Sequence, residues 1–219
     1  MYTYHPGVDM GNGIITPFEK EVKSLGVTLD SKLAWDSHVT TIEKKVNRVL
    51  YTLRFIRHCT TETLRTRLVQ ALINPHLDYC NVVYLDANNT LKARLQRLSN
   101  SGLRYIFGVR KDSQISPFRK KLGCLRFDTR RLYFEAILIY KILRLKQPDY
   151  LVNLFTKYTP KTTSRGDLKT RELTIPKLKK CGPQFFQFHG TILWNYFPSN
   201  IRYTPSLNIV LKKSYMTTY

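Results

Sequence analysis

The sequence predicts a mainly α protein: a helical bundle preceded by a short β-hairpin, then an irregular connection and a small C-terminal helical piece. Three observations carry this reading. Apolar residues recur at spacings of three and four through most of 37–146, the pattern of helices that keep one face in a core. Before them, 14–30 holds short β-favouring runs punctuated by Pro17 and Gly26. After them, 158–182 is rich in Thr, Lys, Pro and Ser and sparse in apolar residues. The divisions that follow are a tail and hairpin over 1–35, a helical domain over 36–157, a basic connection over 158–182 and a helical segment over 183–219.

Taken in order, Ile14, Ile15 and Phe18 precede Lys20-Glu21, and Val22, Leu25, Val27 and Leu29 follow, so 14–30 is expected to form one hairpin with Gly26 at a bend. Asp36 or Ser37 is the expected cap of a helix over about 37–57, whose stripe is Val39, Ile42, Val46, Val49, Leu50, Leu53 and Ile56. Thr60 or Thr61 is expected to cap a second helix, with Leu64, Leu68, Ala71 and Leu72 inward and a break or kink at Pro75. Asn88-Asn89 reads as a turn. A third helix follows over about 90–107, with Leu91, Leu95, Leu98 and Ile106 inward and Gly108 as its stop. A short helix near 116–122 leads to a fourth long one over about 128–146. Its apolar surface is so wide that a central position is expected. One further turn or two spans 149–155, and Leu173-Thr174-Ile175 is a short strand. Phe185 to Trp194 suggest a helix that Pro198 stops, and Ser206 starts a last one.

Charge is the first functional clue. Thirty-six Lys and Arg stand against 15 Asp and Glu, a net +21. So large an excess repels itself in a compact state, and a polyanion relieves the repulsion. Nucleic acid is the expected partner, bound through phosphate contacts. The basic candidates are Lys44, Lys45, Arg48 and Arg54 on the first helix, and Lys92, Arg94, Arg97 and Arg104 on the third. A solvated surface that needs no partner is the plain alternative. Four scattered cysteines form no C-x-x-C pair and read as buried reduced thiols, which suits an intracellular, cytoplasmic or nuclear protein. The five histidines form no ligand pattern, so no metal site is expected. No run of 18 apolar residues exists, so no membrane span is expected.

Catalytic signatures are missing: no Asp-Asp pair, and none of G-x-S-x-G, a phosphate-binding P-loop or H-E-x-x-H. Asp30, Asp36, Asp78 and Asp86 read as cap or turn residues.

An ordered set of segments carries a resemblance. Val22 to Leu33 reads V-K-S-L-G-V-T-L-D-S-K-L, followed by Trp35 and His38. Leu95-Gln96-Arg97-Leu98, Leu103 to Gly108 and Arg130-Arg131 come next. Gly190 to Ile201 holds Leu193-Trp194-Asn195-Tyr196-Phe197-Pro198, ahead of Ser206 and Lys212. Together they resemble the region that follows the polymerase palm in reverse transcriptases of non-LTR, jockey-like retrotransposons, over nearly the whole chain. The resemblance implies a thumb-like bundle holding an RNA/DNA template–primer by its backbone. It implies a primer-grip-like hairpin end at Leu25, Gly26, Val27 and Asp30, and an upstream palm as partner. That palm would carry the [FY]ADD motif and two Mg²⁺ of the full-length enzyme. The motif is not in this sequence, so the resemblance implies polymerase ancestry without polymerase activity in this chain alone. A helical protein-interaction module and a decayed transposon fragment stay open as other readings. Trp194 is expected to be a core anchor rather than a base-stacking residue.

Overall fold

A computed structural model describes residues 7–9, 15–17, 19–159, 172–177, 185–198 and 202–203. The helix expected from Ser206 and most of the 158–182 connection lie outside them. The protein is mainly helical, with hairpins at its N-terminal side.

Two hairpins take the place of the one expected. β1 (Gly7–Asp9) pairs antiparallel with β2 (Ile15–Pro17), and β3 (Glu21–Ser24) with β4 (Val27–Asp30), placing Glu21 opposite Asp30. The reason lies in Leu25-Gly26. Both have positive φ, 46° and 81°, which makes a two-residue turn whose twist suits an antiparallel ribbon. β4 turns Val27 into the main core, while all four residues of β3 are exposed.

α1 (Asp36–Phe55) buries His38, Val39, Ile42, Val46, Leu50 and Leu53, close to the expected stripe. Its cap is not Asp36 or Ser37. Trp35 precedes the helix in the left-handed region and makes no side-chain cap. Asp30 organises this entry instead: its carboxylate accepts from the N–H groups of Lys32 (2.8 Å) and Ala34 (3.0 Å). The Trp35 indole is buried and donates to Asp86 at 2.8 Å.

A 3-10 turn (Arg57–Cys59) leads to α2 (Glu62–Leu72), which Thr61 caps by accepting from the Leu64 N–H. The inward face of α2 differs from expectation. Leu64, Ala71 and Leu72 are exposed and Leu68 is half-buried, whereas Val69 is buried. The buried stripe runs Val69, Ile73, Leu77, across the break before Pro75 and into α3 (Asn74–Asp78). α4 (Asn89–Phe107) is capped by Asn88, whose Oδ1 accepts from the Leu91 N–H, and ends at Gly108 in the left-handed conformation. It buries Leu91, Leu95, Leu98 and Ile106 as expected. α5 (Ser116–Lys121) follows.

α6 (Phe127–Leu145) is central because it joins two cores. Phe127 belongs to the core of α1 to α4 and β4. Ile139 and Ile142 belong to a second core with Phe155, Leu173 and Trp194. Between them α6 buries charge that its apolar composition does not announce. The guanidinium of Arg131 lies over the rings of Tyr84 (5.3 Å) and Phe127 (5.6 Å) and donates to the Tyr84 carbonyl. Glu135 is 0 % exposed and holds His189 at 2.8 Å. Arg130 makes a forked pair with Asp78, with Nε at 2.6 Å.

α7 (Asp149–Val152) and α8 (Phe185–Tyr196) complete the second core, so the C-terminal helix packs on α6 rather than standing apart. α8 can approach closely because Gly190 has no side chain: a Cβ there would stand 2.8 Å from Ile139 Cδ1. Leu173 forms one β-bridge with Lys157 rather than a strand. Trp194 is a core residue as expected, and its indole donates to Glu172 at 3.0 Å. Asn195 secures the same segment, accepting from the N–H groups of Glu172 and Leu173 and donating to the Leu173 carbonyl. The cysteines expected to be buried are not: Cys59 is exposed, closing the 3-10 turn at the surface, and Cys80 and Cys124 are half-buried.

Two outcomes are expected. Asn195→Ala orphans the backbone groups at 172–173 and costs about 1–3 kcal/mol in chemical unfolding. His38 accepts from the Thr28 N–H through Nδ1, and its burial holds its pKa below the ordinary 6.5. His76 shifts the same way for the same reason. The native state therefore binds fewer protons than the unfolded chain as pH falls below 6.5, so the melting temperature should decline there. In His38→Gln the decline should shrink, as read by thermal unfolding against pH.

Candidate nucleic-acid interface

The residues named from sequence fall into four places. Leu25 and Gly26 form the β3–β4 turn, with Leu25 87 % exposed and its carbonyl accepting from the Tyr79 hydroxyl at 2.7 Å. Val27 is core and Asp30 organises the entry to α1, its carboxyl held below the usual range chiefly by the Ala34 N–H. Two of these four residues thus have structural tasks, and the turn alone is presented outward.

On α1, Lys44, Lys45 and Arg48 are exposed and make no side-chain hydrogen bond or ion pair among the described residues. Helical spacing sets Lys44 and Arg48 on one face with Tyr51 and Phe55. Those rings are 62 % and 61 % exposed and meet edge to face, with centroids 4.8 Å apart. Sequence reading passed over this pair, although the signal was there: two aromatics four residues apart, outside the apolar stripe and between basic residues. Lys45 turns toward the side of His38 and His76, and its charge depresses both after burial does.

The basic residues of α4 divide. Arg94 is turned inward. Its Nε donates to Glu43 at 3.1 Å, Nη2 donates to Thr40 at 3.0 Å, and Asp36 lies at 3.9 Å. The Glu43 hydrogen bond raises its pKa further. Arg94 is thus a clamp between α1 and α4. Lys92, Arg97 and Arg104 instead line two clefts on α4 that meet at Arg97. The first, about 630 Å³, is lined by Lys92, Gln96, Arg97, Arg126, Asp128, Arg131 and neighbours. The second, about 650 Å³, is lined by Arg54, Arg57, Arg97, Asn100, Arg104, Tyr105, Gly108, Lys111 and neighbours.

The second cleft owes its shape to where two helices end. α1 and α4 both stop there, and Gly108 permits the stop through its positive φ of 68°. Gly108 also makes room for Arg57, whose Nη2 lies where a Cβ would be, 1.4 Å away. Arg57, Lys111 and Arg126 were not among the expected residues. Arg57 opens the 3-10 turn, and Lys111 and Arg126 sit in loops where periodicity says nothing, so only the fold brings the three beside Arg54, Arg97 and Arg104. Across both clefts the lining holds eight Lys and Arg and one carboxylate, Asp128.

The arrangement can bind anions through its guanidinium and ammonium groups. No group of three His, Cys, Asp or Glu side chains that could hold a metal exists among the described residues. Among the described residues, no helix is long and apolar enough to cross a membrane.

The division on α4 is testable. Arg94→Ala should lower stability by about 1–2 kcal/mol by leaving Glu43 unpaired across the helix contact. Arg97→Ala, exposed and bonded only to the Ala93 carbonyl of its own helix, should fall within about 0.5 kcal/mol of the parent in urea unfolding. Compared with protein-family models, curated proteins and solved structures, the chain has no match among any of the three.

Proposed function

We propose that this chain binds nucleic acid through its phosphate backbone, with the two α4 clefts as the main contact and the exposed face of α1 beside them. The observation that carries the reading is the lining of those clefts, eight cations against one carboxylate. Lys92 and Arg104 lie twelve positions apart on one helix, about 18 Å at ~1.5 Å per residue. That matches about five phosphate steps along one strand of duplex. Tyr51 and Phe55 add ring surface on which an unpaired base can stack.

The resemblance to the post-palm region of non-LTR reverse transcriptases supports a more specific form of the proposal: a thumb-like piece that grips an RNA/DNA template–primer and docks an upstream palm. The outward β3–β4 hairpin fits that reading. A two-stranded ribbon is marginal alone, and β3 exposes all four of its residues. Catalysis then belongs to the palm, and this chain contributes grip.

Binding of a labelled RNA–DNA hybrid, followed by anisotropy across a salt series, tests the proposal. Affinity should fall steeply with salt. Replacing Lys92, Arg97 and Arg104 together by Gln should reduce the slope of log K against log salt by about 2–3, since each of the three side chains neutralises one phosphate. Negligible binding at low salt sinks the proposal.

A further inference from the structure

The second cleft holds more positive charge than the protein around it can explain. Arg54, Arg57, Arg97, Arg104 and Lys111 line it, and no carboxylate does. Basic residues gather at helix C-termini to offset the macrodipole, and two helices end here. Each end supplies about −0.5 charge, so two account for about one of five cations. Among the described residues, Arg54, Arg57, Arg104 and Lys111 make no side-chain hydrogen bond or ion pair, and Arg97 reaches only the carbonyl of Ala93. Roughly four positive charges are left facing one another.

The cleft is also prepared. Arg57 is laid against the bare Cα of Gly108. The Nε atoms of Arg57 and Arg104 are buried without a partner, so both stems are packed into the protein. Tyr105 lines the same cleft at 5 % exposure, its hydroxyl buried and unpartnered. A volume of about 650 Å³ lies within the ~300–1,000 Å³ of small-ligand sites. Charge and size both exceed what a single phosphodiester needs.

We infer that this cleft is a polyphosphate site, taking a compact ligand with two or more adjacent phosphate groups, either free or at the 5′ end of a strand. Guanidinium forks suit phosphate oxygens, and a ligand of about four negative charges cancels what the dipoles leave. The inference rests on the nucleic-acid reading only for the second of those sources, because the pocket is built whether or not a strand lies along α4.

Calorimetry on the full chain with sodium tripolyphosphate tests it, with sulfate at matched ionic strength as the control. Tripolyphosphate should bind at least tenfold more tightly than sulfate. Arg57→Gln should weaken it at least fivefold. Lys111→Gln should do so too, and its side chain is exposed. Lys141→Gln, exposed on α6 outside both clefts, should leave it unchanged. Equal affinity for tripolyphosphate and sulfate, or tripolyphosphate affinity that survives both cleft variants, overturns the inference. A second arm compares one RNA oligonucleotide with a 5′-triphosphate or a 5′-hydroxyl. A gain for the triphosphate supports the strand end as source, and equal affinity supports a free polyphosphate. Tripolyphosphate binding without hybrid binding upholds the cleft and removes the α4 reading; hybrid binding without tripolyphosphate binding does the reverse.

Discussion

Each carboxylate that closes a contact between two elements of this chain is withdrawn from a surface already short of negative charge, with 15 acids for 36 bases. Glu43 takes Arg94 to lock α1 on α4, and Asp78 takes Arg130 to lock α6 on α3. Glu135 is spent on His189 to seat α8 on α6, and Glu172 on Trp194 and Arg202. Asp86 holds the Trp35 indole, and Asp30 turns the chain into α1. These acids sit at joints, where two elements meet and a buried polar group must be satisfied. The bases left over therefore collect where no joint is needed, on the outer side of α4 and around the ends of α1 and α4. The same allocation that holds the helices together concentrates the unmatched charge.

Much of the fold was legible because it rests on period alone. The stripes of α1 and α4, the Thr61 cap and the Gly108 stop all follow local rules that the sequence states openly, whereas Asn88, expected in a turn, is the cap of α4. α2 was misread for a physical reason. Leu64, Leu68 and Leu72 form one apolar row and Val69, Ile73 and Leu77 another, both spaced by four. Only packing against α4 chooses the second, and periodicity cannot see across the break before Pro75. The entry to α1 was misread because the helix already includes Asp36 and Ser37, and Asp30 orders the turn ahead of it by accepting from the N–H groups of residues 32 and 34.

The candidate site was legible in composition and not in assembly. Lys92, Arg94 and Arg97 look alike in sequence. A rotation of about 200° between residues 92 and 94 separates a cleft-lining cation from a clamp. Arg57 begins the 3-10 turn and Lys111 sits in a loop, and their place beside Arg104 depends on two helices ending at one point. The resemblance segments show a related division. Trp194, Asn195 and the Arg130-Arg131 pair serve the cores, whereas Arg97 and Arg104 line the clefts.

α6 belongs to both cores, and that has a consequence for how the chain can be divided. A cut at the compositional boundary near residue 158 would not free a finished helical domain. It would strip α8 from the far half of α6 and leave Ile139 and Ile142 facing water, two fully buried aliphatic side chains worth about 1.5–3 kcal/mol each. It would also abandon Glu135, a buried carboxylate whose partner comes from beyond the cut. The near half, fixed by Arg130 and Arg131, would stay put. The unit that evolution or an experimenter can move intact is therefore set by one helix spanning two cores, and the chemistry of the sequence places its seam where no side chain respects it.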